Sequence, residues 1–230
     1  MTPAPLRPRP NILVWDLPVR VFHWLLVLCF AGAWLTAESE RWRLLHATLG
    51  YTMGGLLVFR VLWGLVGTQH ARFGDFVRGP RAVLGYGRAL LRGQPDHHVG
   101  HNPAGALAIV AMLGLGALIV ASGWAVYSDW GGGLMEGLHE GAASVMLAVV
   151  GVHLAGVVLT SRLHHENLVR SMLNGRKHGV PADGIGSAWR SVAALMVVAV
   201  AAFWWQQWQT APAAGGAGQT AAQAHGDDDD

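Results

Sequence analysis

The sequence predicts an all-α membrane protein, and the prediction rests on the composition and on the length of the apolar runs. Of the 230 residues, 52% are hydrophobic and only 13% are charged, about half the charged share of a typical soluble protein. The 31 Gly and 11 Trp are residue types that membrane proteins use at helix contacts and at the membrane surface. Such a hydrophobic chain is not intrinsically disordered, and its single cysteine, Cys29, excludes a disulfide scaffold.

Five apolar runs are long enough to cross a bilayer as helices, which takes about 20 residues. The predicted spans are 17–37, 44–66, 104–126, 135–160 and 188–208. The first span contains a histidine and lacks a small-residue cleavage site, so we interpret it as an uncleaved helix rather than a signal peptide. Outside the spans we predict an N-terminal segment, a linker and a disordered acidic tail, at 1–16, 176–187 and 209–230.

The distribution of basic residues predicts the orientation of the chain in the membrane. Thirteen of the 16 Lys and Arg residues lie before or in the first turn of the first span, between the second and third spans, or between the fourth span and the first turn of the fifth. The other loops carry Arg41 and Arg43 among acidic residues, and the tail ends in Asp227–Asp230. Because short cytoplasmic loops are rich in Lys and Arg, the N-terminus is predicted in the cytoplasm and the C-terminus in the periplasm of a bacterial inner membrane. A helix from Pro80 to about Leu91 is predicted to lie in the cytoplasmic interface.

Four histidines lie inside predicted spans, namely His23, His46, His139 and His153. Ionisable residues are costly there and indicate functional sites. His139 and His153 are fourteen residues apart, so they share one face of the fourth helix and lie about 21 Å apart along its axis. The direction of each span places His23 level with His153 near the cytoplasmic surface, and His46 level with His139 near the periplasmic one. Hydrogen bonding between helices is the alternative interpretation of these imidazoles.

Two histidines from different helices are sufficient to hold a haem, because the porphyrin supplies the four equatorial nitrogens of the iron. Zinc fits less well, since its structural sites take four protein ligands. The depths therefore predict two haems, with His23 and His153 as axial ligands of one and His46 and His139 as those of the other. The sequence has no Cys-x-x-Cys-His motif, so covalent c-type attachment is excluded.

Three further residues are predicted to contribute to haem binding. Gly50 and Gly54 follow His46 at four-residue steps, which leaves room for a macrocycle beside the imidazole. Arg60 lies fourteen residues after His46 and therefore level with the predicted site of His23 and His153. A haem propionate there would supply its counter-charge, and snorkelling to the cytoplasmic surface is the alternative.

Other histidines lie outside the spans. His97, His98 and His101 precede Asn102-Pro103, which is a helix-start signal, and His164 and His165 follow the fourth span. We interpret these five as solvated loop residues rather than as ligands.

Several stretches resemble the bacterial cytochrome b-561 family, which includes the b-type cytochrome subunit of nickel–iron hydrogenases. They are Asp16–Trp24 (DLPVRVFHW), Arg43–His46 (RLLH), Phe59–Gly67 (FRVLWGLVG) and Gly100–Ala106 (GHNPAGA), and the resemblance covers roughly residues 15–175. It implies a four-helix transmembrane haem-binding bundle with two non-covalent b haems, whose ligand positions match His23, His46, His139 and His153. The fifth, C-terminal transmembrane helix is an addition to that bundle.

The predicted function is electron transfer across the membrane by a dihaem b-type cytochrome. The resemblance implies exchange with the quinone pool, with a quinone as a further ligand, and with a periplasmic c-type cytochrome or hydrogenase-like partner. It leaves open the direction of electron flow and any quinol or quinone oxidoreductase activity of the chain itself. A superoxide:quinone oxidoreductase is one alternative, although acidic residues near the outer surface would repel superoxide. A haem-free membrane anchor or transporter is another. Membrane lipid and a second copy of the chain are further expected partners, and nucleic acid is not.

Overall fold

A computed structural model describes residues 10–94 and 96–210, and the predictions for 1–9 and 211–230, including the acidic tail, lie outside the described residues. The described chain is mostly helical. Its helices are α1 (Leu17–Thr36), α2 (Arg43–Val66), α3 (Phe73–Phe76), α4 (Pro80–Leu91), α5 (Pro103–Tyr127), α6 (Gly132–Leu163), α7 (Leu168–Asn174) and α8 (Arg190–Thr210). Two short strands, β1 (Asn11–Leu13) and β2 (Arg176–His178), form an antiparallel pair.

Helices α1, α2, α5, α6 and α8 are long and apolar enough to cross a membrane. The predicted all-α membrane fold with a fifth C-terminal span is therefore confirmed. α6 extends three residues beyond the predicted span at each end. The segment 176–187, which was predicted as a linker, contains strand β2 and a short 3-10 helix.

Two of the spans begin at residues whose side chains cap the helix. Asp16 Oδ1 accepts a hydrogen bond from the backbone N–H of Val19 at 2.8 Å. Asn102 Oδ1 accepts one from the backbone N–H of Gly105 at 2.7 Å. A proline in the first turn of each helix has the backbone φ angle that this turn requires. Because these caps satisfy N–H groups that have no partner within the helix, they determine where α1 and α5 begin.

At one end of the bundle, three separate segments of the chain are tied together. Strand β1 before α1 pairs with β2 after α7. The Lys177 ammonium of β2 donates hydrogen bonds to the carbonyls of His98 and Val99 at 3.2 and 3.1 Å. A ring nitrogen of His70 donates to the carbonyl of Asp183 at 2.8 Å. We call this end, with residues 10–16, 67–102 and 164–189, the basic end, and the opposite end, with residues 37–42 and 128–131, the far end.

α2 lies at the centre of the bundle and packs against α1, α5 and α8. The indole N–H of Trp204 on α8 donates a hydrogen bond to Thr52 Oγ1 on α2 at 2.8 Å, so a polar contact also holds the fifth span. Apolar side chains of α1, α2 and α8 form one buried cluster, which consists of Phe22, Cys29, Leu49, Met53, Leu56 and Met196.

α6 is held against α5 and stands apart from α1 and α2. In the part of the chain that the structure describes, α6 packs mainly on α5 and α7 and makes no comparable contact with α1 or α2. Its buried residues Ala142 and Met146 pack against Ile119 of α5, and Phe30 of α1 also reaches this cluster. Most of α6 therefore stands away from the α1–α2 pair, and we call the interval between them the central cleft.

A buried carboxylate joins α1 to α2 at the basic end. Asp16 is 1% exposed. Besides capping α1, it accepts hydrogen bonds from Trp63 Nε1 at 3.0 Å and from Thr68 Oγ1 at 2.6 Å. Burial of a charge is tolerated only when its hydrogen bonds to water are replaced, and these three donors replace them.

We expect Asp16→Ala to lower the free energy of unfolding by about 3 kcal/mol, because it removes a cap and leaves two buried donors without an acceptor. The measurement is the apparent Tm of the detergent-purified protein. Asp75→Ala is the control, since Asp75 forms only the exposed ion pair with Arg72 at 2.7 Å, and such pairs contribute about 0–1 kcal/mol. Equal Tm values for the two variants would show that the Asp16 network does not hold the helices together.

Candidate functional site

The structure brings His46 of α2 and His139 of α6 together near the far end of the central cleft. Their ring centres are 6.1 Å apart, with an interplanar angle of 68°. His46 Nδ1 donates a hydrogen bond to the carbonyl of Ala33 at 2.9 Å, and His139 Nδ1 donates one to the carbonyl of Ile119 at 2.9 Å. A carbonyl can only accept, so these contacts place the proton of each ring on Nδ1 and leave each Nε2 with its lone pair.

This arrangement fits a metal ion between the two imidazoles. Metal–nitrogen bonds of about 2 Å on either side would hold the ring centres about 6 Å apart. Ligating histidines also usually donate their other ring N–H to a carbonyl or a carboxylate, which fixes the tautomer and the ring orientation. The residues of this far pair, His46 and His139, therefore fit the axial ligation of a haem.

A second pair, His23 of α1 and His153 of α6, lies toward the basic end. The two rings are close enough to interact electrostatically. The His23 ring packs edge-on against Trp24 at 5.0 Å, and its Nδ1 is shielded from solvent with no hydrogen-bond partner among the described residues. Buried ring nitrogens nearly always have a partner, so this orphaned nitrogen is consistent with a group in the cleft that is not part of the polypeptide.

The structure thus brings His46 and His139 together and places His23 within electrostatic range of His153. Whether each of these pairs shares one haem stays a prediction. Ligation of iron by these four residues stays a prediction. The sequence also suggested three further haem-binding residues, and their surroundings suit that role to different degrees. They are Gly50, Gly54 and Arg60.

The two glycines of α2 have different environments. A Cβ added at Gly50 would meet no atom within 4 Å, so there is open space beside this position. A Cβ at Gly54 would lie 3.1 Å from Val120 of α5. Gly54 therefore contributes to the close packing of α2 on α5, and only Gly50 borders free space.

Arg60 is buried rather than extended to the surface, with 3% exposure. Its guanidinium donates a hydrogen bond to the carbonyl of Ala71 at 3.1 Å and stacks over Phe73, 4.8 Å from the ring centre. The snorkelling alternative is therefore wrong, because the loop after α2 folds over the side chain. Asp16 lies within electrostatic range and gives Arg60 a counter-charge from the protein itself, so the contact with a haem propionate stays a prediction.

Gly123 and Ser122 of α5 were not singled out from the sequence. A Cβ at Gly123 would lie 2.8 Å from His139 Cε1, so only glycine lets the imidazole approach α5 this closely. Ser122 Oγ lies 3.4 Å from His139 Nδ1. These two residues can be identified only when the rotation of α5 relative to α6 is known. The sequence pattern of a uniformly apolar helix does not indicate that rotation.

The interpretation of His101 as a solvated loop residue is wrong. Its ring packs between Trp15 and Phe76, with ring centres 4.5 and 4.4 Å away. Its Nδ1 is buried and has no hydrogen-bond partner within the described chain. Burial lowers the pKa of His101 to about 3, helped by the positive charges of Arg60 and Lys177, so the imidazole is neutral at pH 7. It lines a cavity of about 440 Å³ at the basic end, together with His70, Phe76 and Pro103.

An ion-pair cluster supports the loop that carries His101. Glu166 after α6 contacts His97 Nε2 at 2.7 Å and the buried ammonium of Lys177 at 2.9 Å. Burial alone would raise the pKa of Glu166, but the hydrogen bonds from Lys177 and His97 outweigh it and hold the pKa below its usual value. The carboxylate is therefore charged at neutral pH and anchors the segment before α5.

Paired imidazoles that face one another across an apolar cleft between membrane helices are the arrangement by which b-type cytochromes hold haem without a covalent link. The profile of the family described as prokaryotic cytochrome b561 matches residues 14–175. The chain belongs to this family, which confirms the resemblance seen in the sequence. Membership implies a b-type haem and a role in membrane electron transport.

Curated relatives carry a more specific name. A protein of Rhizobium leguminosarum bv. viciae named "Probable Ni/Fe-hydrogenase B-type cytochrome subunit" is 26% identical, over 74% of this chain and 90% of its own length. A protein of the same name from Rhodobacter capsulatus is 21% identical, over 75% of this chain and 83% of its own. The "Probable Ni/Fe-hydrogenase 1 B-type cytochrome subunit" of Escherichia coli (strain K12) is 26% identical over 50% and 60%. No solved structure matches the chain.

We expect Gly123→Val to displace the His139 ring and to remove the haem held near the far end, because the added side chain would occupy the space of the imidazole. The measurement is the haem-to-protein ratio of the purified protein, together with its reduced absorption spectrum. Gly114→Val is the matched control on α5, since a Cβ at Gly114 meets no atom within 4 Å. Retention of all haem in Gly123→Val would show that the contact with His139 is irrelevant to haem binding.

Proposed function

We propose that the chain is a dihaem b-type cytochrome that carries electrons across the membrane. The observation that carries the proposal is the position of the histidines, because the His46 and His139 rings face one another and His23 lies within electrostatic range of His153. In this proposal His46 and His139 hold one haem and His23 and His153 hold the other. Bound iron would alternate between its ferric and ferrous states and so pass single electrons.

The polypeptide orients and insulates the two sites. The carbonyls of Ala33 and Ile119 fix the tautomer and direction of the far-pair imidazoles, which keeps Nε2 available as the axial ligand. Apolar side chains of α5 and α6 pack together, among them Ile119 and Met146, and between the two sites they would exclude water. A low dielectric and few competing hydrogen bonds help to set the potential of a haem.

We propose a quinone as the redox partner at the basic end. The cavity beside His101 supports this proposal, because it offers a neutral imidazole with an unpaired nitrogen within electrostatic range of His153. A quinone takes up protons when it is reduced, and a neutral imidazole can donate or accept a hydrogen bond at its carbonyl oxygen.

For the far end we propose a periplasmic partner of the nickel–iron hydrogenase kind, which would deliver electrons for quinone reduction. The names of the relatives support this choice over a c-type cytochrome. A periplasmic partner at the far end requires the basic end to face the cytoplasm. The concentration of Arg and Lys in the loops of the basic end supports this orientation.

Replacement of single histidines should affect the haems in pairs. The wild-type protein should contain two haems per chain, all extractable with acid–acetone. His153→Ala and His23→Ala should each disturb one redox component, and His46→Ala and His139→Ala the other, because each change leaves an iron with one axial imidazole. Potentiometric titration of the reduced spectrum is the measurement, and His164→Ala outside the cleft is the control. A colourless protein would instead support a haem-free anchor. If His23→Ala and His139→Ala disturbed the same redox component, the proposed pairing would be wrong.

Hydrogen should reduce the cytochrome in native membranes. We expect hydrogen gas to produce the reduced α-band of b haem in wild-type membranes but not in membranes with His46→Ala, in which the site nearest the partner is disrupted. Full reduction by dithionite without reduction by hydrogen would exclude the hydrogenase partner alone.

Reporter fusions should test the orientation of the chain in the membrane. Alkaline phosphatase fused after Trp208 should be active, and a fusion within residues 72–92 should be inactive, since the enzyme folds only outside the cytoplasm. The reverse pattern of activity would show that the orientation is inverted.

A further inference from the structure

α4 presents two parallel rows of exposed side chains at the basic end. Arg81, Arg88 and Arg92 lie within an arc of about 40° on the helix and extend over about 16 Å, and we call them the arginine row. Leu84 and Leu91 lie about 60° to one side of it and are 62% and 90% exposed. We call these two the leucine row. The accessible side of α4 is thus divided lengthwise into a cationic and an apolar half.

Within the described chain, neither row has a partner. Among the residues that the structure describes, no ion pair or hydrogen bond joins Arg81, Arg88 or Arg92 to an acidic side chain. The neighbouring carboxylate of Asp75 is already engaged by Arg72. Exposed leucines beside unpaired arginines suit the boundary between acyl chains and lipid headgroups.

The opposite side of α4 places the helix at that boundary. Tyr86 is buried there, with its ring 5.7 Å from the ring of His98 before α5. The Tyr86 hydroxyl lies near Thr160 in the last turn of α6, without a hydrogen bond of normal geometry. α4 therefore lies across the ends of the spans α5 and α6, where the membrane surface begins.

We propose that α4 is a binding site for anionic phospholipid, in which the arginine row contacts the phosphate groups and the leucine row contacts the upper acyl chains. Charge complementarity favours an anionic lipid over a zwitterionic one, because three guanidinium groups lie on one side of α4 and none forms an ion pair with a described residue. The leucine row favours a lipid over a soluble acidic protein, which would leave Leu84 and Leu91 in water at the membrane surface.

The test is native mass spectrometry of the full-length, detergent-purified protein titrated with phosphatidylglycerol and, separately, with phosphatidylcholine. We expect tighter binding of phosphatidylglycerol, weakened by salt, and a loss of at least about ten-fold in its affinity in the variant R81Q/R88Q/R92Q. The variant R162Q/R170Q/R190Q is the matched control, since it removes the same charge from exposed positions in or next to the basic end. L84S/L91S should weaken the binding of both lipids.

The outcomes separate the proposal from its competitors. Equal affinity for the two lipids, or an equal loss in both triple variants, would show that α4 is no specific site for anionic lipid. Competition by soluble glycerophosphoglycerol at the concentration of the lipid would show that the leucine row makes no contribution. Unchanged circular dichroism and haem content of the variants would show that lost binding does not reflect lost folding.

Discussion

Two histidines fourteen residues apart on α6 constrain the rest of the site. This spacing places both imidazoles on one face of a single helix. Their partners must therefore come from the helices that lie opposite this face. In this protein it looks across the central cleft toward α1 and α2, which bring His23 and His46. Had α6 packed against α1 and α2 as closely as it packs against α5, no group as large as a porphyrin would fit between the helices. The bundle is therefore held by α2 and α5, and α6 is attached through α5 and the basic-end loops.

The basic end is organised by polar contacts, whereas the spans are held by apolar ones. Asp16 unites α1, α2 and the loop that follows α2, and Lys177 and Glu166 tie the segments before α5 and after α6 to strand β2. In an apolar bilayer, helices gain little from apolar contact alone. Buried charges whose hydrogen bonds are satisfied within the protein therefore supply directional contacts at the ends of the spans, and they order the loops that cover His101 and Arg60.

The functional residues differ in how strongly the protein holds them. The far-pair imidazoles are positioned by backbone carbonyls, which belong to rigid helices and survive side-chain substitution. His23 and His101 each keep a buried ring nitrogen without a partner in the described chain. Polar groups of this kind concentrate where a ligand completes the hydrogen bonding, and both lie toward the basic end, where we propose the second haem and the quinone.

The sequence alone determined the five spans, which loops share one end of the bundle and how far along its helix each histidine lies, because hydropathy, charge and helical rise are local properties of the chain. It also carried the motifs of the cytochrome b561 family. Only the tertiary structure decided which face of α5 meets α6, and hence that Gly123 makes room for His139 and that Ile119 orients it. It also decided that Gly54 packs against Val120, and that Arg60 and His101 are covered by loops. These features depend on the rotation and register between helices and on loop folding, and a uniformly apolar span contains no periodic signal from which they can be read.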